Sequence, residues 1–200
     1  FMRSCGLDDP NRLEKQETSK GTWLVYQQHK PGGNIRELIS DILLKSLSTL
    51  PIDRKMHWGA SRVEFVRPVH SLVLLYGEEI LPARILNCDS GRTTLGHRFM
   101  SNGVIKIKSA NEYAEVLRDN YVIVDFEVRK SVILEQLAKV EALENARVII
   151  DPELLDEVTS LVEWPIALSG KFDSAFLSVP EEALISAMKS HQRYFHLVDL

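Results

Sequence analysis

Cysteine is nearly absent from this chain. Cys5 and Cys88 are the two examples in 200 residues, and neither belongs to a CxxC pair or a Cys/His ligand set. That pattern indicates neither a zinc site nor a disulfide framework, and it makes a reducing cytoplasm the expected compartment. The six histidines never fall in HxxxH or HxH spacing, so metal-assisted hydrolysis has no support and no metal site is expected. There is no P-loop, no GxGxxG and no GxSxG elbow, which removes three common routes to nucleotide binding or acyl transfer. Apolar runs stay far short of membrane length. Excess positive charge is missing too: a formal net charge of −4 argues against a generally basic nucleic-acid coat, so any such contact must come from a local patch on an acidic body.

What remains is an ordinary globular composition, 44% apolar and 26% charged. A chain of this length makes one large domain or two small ones and can bury roughly 70% of its unfolded surface. The polar stretch Asp8–Lys20 reads as a short helix or a loop. Thr22–His29 carries Trp23, Val25 and Tyr26 and reads as a strand, closed by the Pro31-Gly32-Gly33 turn signal. Asn34 can cap a helix whose Ile35, Leu38, Ile39, Ile42, Leu43 and Leu47 recur at helical spacing until Pro51. Strands are expected over Val69–Tyr76 and Ile80–Leu86 about a turn at Gly77-Glu78, with Thr93–Met100 continuing the β run. Ser109-Ala110-Asn111-Glu112 is a capping box for a short helix through Leu117. Tyr121–Val124 reads as a brief strand, Asp125 as the cap of a long helix, and Asp151-Pro152 as the start of another. Leu161–Leu168 is expected to return to the sheet. The irregular alternation implies an α+β fold with a mixed, largely antiparallel sheet and packed helices, a single domain over 1–200 with a strand-helix segment at 1–52 and a core at 53–200.

The densest functional signal lies between Pro180 and Phe195. Pro180 with Glu181 and Glu182 opens a helix, and Leu184, Ile185 and Met188 form one apolar stripe. Lys189, His191, Gln192 and Arg193 then crowd the helix exit beside Tyr194 and Phe195. Cations suit a helix C-terminus, so capping accounts for part of the cluster. Amines and amides beside aromatic rings also suit RNA, where cations meet phosphate and flat groups meet bases.

Other candidates carry two readings each. In Gly96-His97-Arg98-Phe99 a regular strand would put His97 and Phe99 on one face and Gly96 and Arg98 on the other. Arg98 then serves either an RNA phosphate or a carboxylate, since its fork fits both. The partner expected in the second case is Glu163, which stands between Val162 and Trp164 and would need a cation if buried. Arg67, ahead of Pro68, is expected at a strand entrance or edge, with His70 beyond it. Asp125, Glu127, Arg129 and Lys130 read as a solvated helix start or as intradomain ion pairs.

Several of these blocks, in this order, resemble the beta subunit of bacterial heterotetrameric glycyl-tRNA synthetase. They are Met56-His57-Trp58-Gly59, Phe65-Val66-Arg67-Pro68-Val69-His70, Gly91–Met100, Asp125-Phe126-Glu127 with Arg129-Lys130, Leu161-Val162-Glu163-Trp164-Pro165, and Val179–Phe195. The similarity runs from about Cys5 to Leu200. One departure is His57, where the family pattern looks like an Arg, and an unperturbed His is mostly uncharged at neutral pH. The resemblance implies an internal piece of a longer polypeptide that begins here at Phe1. It implies a fold similar to the editing-type domain of the phenylalanyl-tRNA synthetase beta subunit. The implied role is accessory: binding and positioning the acceptor end of tRNA-Gly, with glycine activation, ATP and magnesium belonging to the complete enzyme and its alpha subunit. No catalytic or cofactor-binding residue is expected in this chain. Candidate tRNA contacts are Arg67, His97, Arg98, Lys189, His191, Gln192 and Arg193. An editing-type deacylase and a scaffold for the alpha subunit are the alternatives, although glycine is small enough for a tight pocket to reject every larger side chain without a second sieve.

Overall fold

The computed structural model describes residues 2–29 and 31–200, and the chain divides into two compact units, Phe1–Leu38 and Ile39–Leu200. In the first unit a short helix α1 (Met2–Cys5) precedes a 3₁₀ turn at Pro10–Arg12. Strand β1 (Glu14–Thr18) then pairs antiparallel with β2 (Gly21–Val25), Thr18 opposite Gly21. Gly21 sits at φ +126°, a conformation that favours glycine. Thr18 Oγ1 fastens the turn by accepting from Lys20 N–H at 3.3 Å and from Trp23 Nε1–H at 3.1 Å. The sequence reading of Asp8–Lys20 as helix or loop is therefore corrected. Both strands are exposed along their whole length, so β1 has no buried face to impose apolar alternation, and its polar sequence conceals it. Helix α2 (Ile35–Ser48) follows Asn34, whose Oδ1 accepts from Arg36 N–H at 3.0 Å, the expected cap.

The second unit is a set of small sheets with helices between them. Strands β3 (Met56–His57) and β4 (Glu64–Phe65) pair antiparallel, with His57 opposite Glu64 and its Nε2 at 3.6 Å from the carboxylate. Strands β5 (Leu72–Val73), β6 (Leu75–Tyr76), β7 (Glu79–Ile80), β8 (Arg84–Ile85) and β9 (Cys88–Gly91) follow, then β10 (Thr93–Leu95) and β11 (Val104–Lys106). β9 stands between β5, which it meets in parallel, and β8, which it meets antiparallel. β6–β7 and β10–β11 are antiparallel hairpins, as is the remote pair β12 (Ala146–Val148) with β13 (Leu197–Asp199). The class is α+β as expected, but one mixed sheet is not formed; the described strands fall into six separate sheets. Pro68 and Pro82 cannot donate to a ladder, and Leu86 and Asn87 at φ +50° and +64° reverse the chain at once, so the strands stay short and, apart from β9 with β5 and β8, pair two by two.

Helix starts follow local chemistry. Ser109 and Glu112 close the capping box ahead of α3 (Tyr113–Asp119). Asp125 accepts from Val128 N–H at 2.9 Å to start α4 (Phe126–Glu144), and Asp151 accepts from Leu154 N–H at 3.0 Å to start α5 (Pro152–Leu161). Helix α6 (Glu181–Ser186) runs into a π-helical turn at Ala187–His191. One core gathers Ile133, Leu137, Val148 and Leu155 with Phe195 against it. A second gathers Ile105, Ile107 and Leu117.

Two expected strands do not form. Tyr121 takes φ +60°, and Val122 N–H turns back to the carbonyl of Leu117 at 2.9 Å, so the chain leaves α3 as irregular backbone. Leu161–Leu168 is interrupted by Pro165, and the side chain of Gln136 replaces a partner strand: Nε2 donates to the Pro165 carbonyl at 2.9 Å and Oε1 accepts from Ala167 N–H at 2.7 Å. The chain exposes 15569 Å². Burial is thus about half of the unfolded surface rather than the expected share: β1, β2 and α2 bury no residue, and only twelve hydrophobic side chains of the described residues are buried.

Candidate nucleic-acid interface

The hairpin β10–β11 presents two different faces. Leu95 lies opposite Val104 and Thr93 opposite Lys106, and all four are exposed. The alternate position Ile105 enters the second core. At its base the guanidinium of Arg92 donates to the carbonyls of Lys108 at 3.2 Å and Glu78 at 2.7 Å, tying the hairpin to the β6–β7 turn. At its tip the chain from Gly96 to Gly103 is latched to the end of α3. His97 N–H donates to the Asn120 carbonyl at 2.9 Å, and Ser101 Oγ donates to Asn120 Oδ1 at 2.8 Å. Asn120 is held in turn by Nδ2 donating to the Val116 carbonyl at 2.8 Å. Gly96 makes the latch fit, since a Cβ there would stand 2.7 Å from the Asn120 carbonyl oxygen.

Gly96–Phe99 is therefore a turn, and the strand expected there ends at Leu95. His97 Nδ1 accepts from Phe99 N–H and Met100 N–H, both at 3.3 Å, which bends the chain where a strand would have continued. Arg98 and Phe99 project from this bend. The guanidinium carbon stands 5.8 Å from the Phe99 ring centroid, and the His97 ring is tilted beside it at 6.2 Å. Phe99 is 85% exposed. The expected Arg98–Glu163 pair does not exist. Both residues are exposed, no ion pair joins them, and Glu163 contributes only its carbonyl, to Ile123 N–H at 3.0 Å. The premise of burial failed because Gln136 holds the Glu163 segment as an outer strip and not as an inner strand.

One signal in the sequence was missed. From Ser90 to Asn111 the chain has no Asp or Glu, yet it carries Arg92, Arg98, Lys106, Lys108 and His97. The nearest carboxylate on the C-terminal side, Glu112, is engaged with the backbone N–H groups of Lys108 and Ser109. On a chain with net charge −4, that stretch is the local patch an anionic partner requires.

The cluster at the exit of α6 is organised differently. Lys189 meets Asp151 at 2.5 Å and Arg193 meets Glu157 at 2.6 Å. Arg193 also donates to the Ser190 carbonyl. It stands at φ +61°, the left-handed position that ends many helices. The two strongest cations of the cluster thus clamp α6 to α5, while His191 and Gln192 are exposed. Arg67 is exposed in the bend after β4. Of the Asp125–Lys130 run, Lys130 pairs with Asp156 at 2.6 Å, which raises its pKa above 10.5. Arg129 serves carbonyls instead: Nε donates to Thr159 at 2.8 Å and Nη1 to Ile123.

The Lys189 ammonium first, and the amides of Leu154 and Glu153 after it, hold the Asp151 carboxyl below its ordinary 3.8. A carboxylate with a lowered folded pKa contributes stability above its unfolded value and loses it as the pH falls through the folded one. Asp151→Asn preserves a capping side chain but cannot titrate. Acid unfolding followed by circular dichroism is therefore expected to show a shallower loss of stability below about pH 4 for this variant than for the parent. Superimposable acid limbs would mean that the Asp151–Lys189 contact is not formed.

Among the described residues no three His, Cys, Asp or Glu side chains gather as a metal ligand set, and no helix is long and apolar enough to cross a membrane. The whole chain, residues 1–200, matches the family described as "Glycyl-tRNA synthetase beta subunit". Similar curated proteins, each named "Glycine--tRNA ligase beta subunit", come from Hahella chejuensis at 48% identity over 200 residues and Chromohalobacter salexigens at 47% over 201. Another, from Marinobacter nauticus, is 46% identical over 203 residues. In each the match covers all of this chain and 29% of the relative, so the chain spans less than a third of the length of the proteins it resembles.

Proposed function

The chain belongs to the glycyl-tRNA synthetase beta-subunit family, and on that premise we propose that it serves glycine–tRNA ligation as an accessory, RNA-facing domain. Its task is to hold the acceptor end of tRNA-Gly for aminoacylation by the alpha subunit in the cytoplasm. The observation that carries this reading is the carboxylate-free hairpin, with Arg98 exposed over Phe99 on a latched tip. Among the described residues Arg98, Lys106 and Lys108 have no carboxylate partner of the kind that occupies Lys189 and Arg193, so their charge is available to phosphate. ATP and magnesium are assigned to the complete enzyme and its alpha subunit. An editing activity has less support, since glycine needs no second sieve.

The test is the salt dependence of tRNA-Gly binding by the chain, read by electrophoretic shift. Each phosphate contact contributes about 0.7–0.9 to the slope of log affinity against log salt. Arg98→Ala with Lys106→Ala is expected to lower that slope by up to about two, without loss of thermal stability. Lys189→Ala with Arg193→Ala is expected to do the reverse: a lower unfolding temperature and a nearly unchanged slope. If the second pair carries the slope and the first does not, the hairpin is not the RNA-facing surface.

A further inference from the structure

We infer that the tip of the β10–β11 hairpin recognises an unpaired nucleotide, with Phe99 as a stacking platform for one base and Arg98 as the contact to its neighbouring phosphate. The inference rests on the RNA-facing reading and narrows it from RNA in general to single-stranded RNA.

Three observations combine. Phe99 is 85% exposed although it is among the largest apolar side chains of the chain, and its neighbours on the same ribbon, Leu95 and Val104, are exposed by 61% and 71%. An apolar surface of this kind on an otherwise charged chain marks a contact site. Second, Arg98 lies against the ring at 5.8 Å from the centroid, and no acidic residue occurs between Ser90 and Asn111. A protein partner for an apolar patch does not require a run without carboxylates, whereas a phosphate chain does. Third, the tip is fixed before binding. His97 ties the bend through its own ring nitrogen, Asn120 ties it to α3, and Gly96 lets the two segments approach closely. A backbone already held in place loses little freedom on contact, which favours affinity.

The shape of the ligand follows from the ring. A-form duplex RNA offers phosphates, 2′-hydroxyls and base edges, while its base faces are covered by stacking. A projecting phenyl ring finds a base face only where bases are unstacked, in a loop or at a single-stranded end. The flanking cation then supplies sequence-independent attraction, and stacking tolerates every base because each has a π-face.

The experiment compares a short single-stranded oligoadenylate with a blunt RNA duplex of equal phosphate count, by fluorescence anisotropy at low salt, using the whole chain. Phe99→Ala and Phe99→Leu are expected to weaken single-strand binding on the order of ten-fold, in line with loss of one base–aromatic contact. Phe99→Trp retains it, duplex binding is unchanged throughout, and the salt slope is unaltered. Because Phe99 is so exposed, the variants are expected to unfold with the parent. Retention of full affinity by Phe99→Leu, or equal losses for both RNAs, overturns the stacking assignment while leaving the RNA-facing reading intact. No binding of either RNA by the parent chain at low salt overturns the RNA-facing reading, and this inference with it; the exposed tip would then be a protein contact.

Discussion

Arg129→Ala is expected to lower the unfolding free energy by about 3 kcal/mol, among the largest losses from any single charged side chain in the molecule. Hydrogen bonds from a charged donor contribute about 1.5–3 kcal/mol, and a carbonyl left without a partner away from water costs a further share. Arg129 makes two such bonds, each to a backbone carbonyl. Thr159 is fully buried in the last turn of α5, where its carbonyl has no intrahelical partner, and Arg129 Nε supplies one. Nη1 does the same for the Ile123 carbonyl in the irregular segment after α3. One side chain on α4 therefore holds two elements that share no strand pairing. Arg129→Lys keeps the charge but not the fork, so it is expected to fall between parent and alanine. Lys130→Ala, next along the helix, removes a partly exposed pair with Asp156 and an ammonium 5.9 Å from the Phe126 ring centroid, and is expected to change stability less. Urea titrations of the three variants decide the matter: equal, small shifts in midpoint for Arg129→Ala and Lys130→Ala would mean that the guanidinium is not the strut described here.

Gly96→Ala is the second large effect, and it acts on stability and binding together. The added methyl would stand 2.6 Å from Ser101 Oγ and 2.7 Å from both Cβ and the carbonyl oxygen of Asn120. Two of those neighbours are fixed, one as backbone and one as the root of a side chain, so the tip must move. Overpacking of this kind costs about 1–3 kcal/mol, and the displaced bend carries Arg98 and Phe99 with it. A weaker affinity for tRNA-Gly is expected alongside the lower stability. Gly103→Ala is the informative comparison. Gly103 has φ +78° and open space around its Cβ position, so alanine there strains the backbone by about 1 kcal/mol without touching the Asn120 latch. Stability falls in both variants, whereas binding falls steeply only in Gly96→Ala. Equal binding losses would detach affinity from the position of the tip.

Which parts of this were legible in the sequence follows from the range of the interactions involved. Asn34, Ser109 with Glu112, Asp125, and Asp151 with Pro152 mark helix starts through bonds that span three residues or fewer, and each begins a helix where the sequence places it. Strand β1 was illegible because a ribbon exposed on both faces has no reason to alternate. The Leu161–Leu168 strip was misread because a glutamine 29 residues away imitates a strand partner. Charge followed the same rule. Lys189 and Arg193 look free in sequence because Asp151 and Glu157 lie 38 and 36 residues before them. Arg98 looked like a buried partner for Glu163 because the bend made by His97 Nδ1 cannot be read from residue types alone. The run without carboxylates from Ser90 to Asn111, by contrast, was visible all along as simple composition, and it is the feature that redirects attention from the α6 exit to the β10–β11 hairpin.

The most direct test of the account is a residue-resolved footprint of RNA on the chain. Amide chemical shifts followed by NMR during titration with a tRNA-Gly acceptor-stem minihelix bearing its single-stranded end are predicted to move between Thr93 and Lys108, most strongly at Arg98, Phe99 and Met100, with Asn120 following through the latch. The amides of the Lys189–Arg193 turn are predicted to stay in place. Shifts centred on Lys189–Arg193 with a silent hairpin tip would contradict the account.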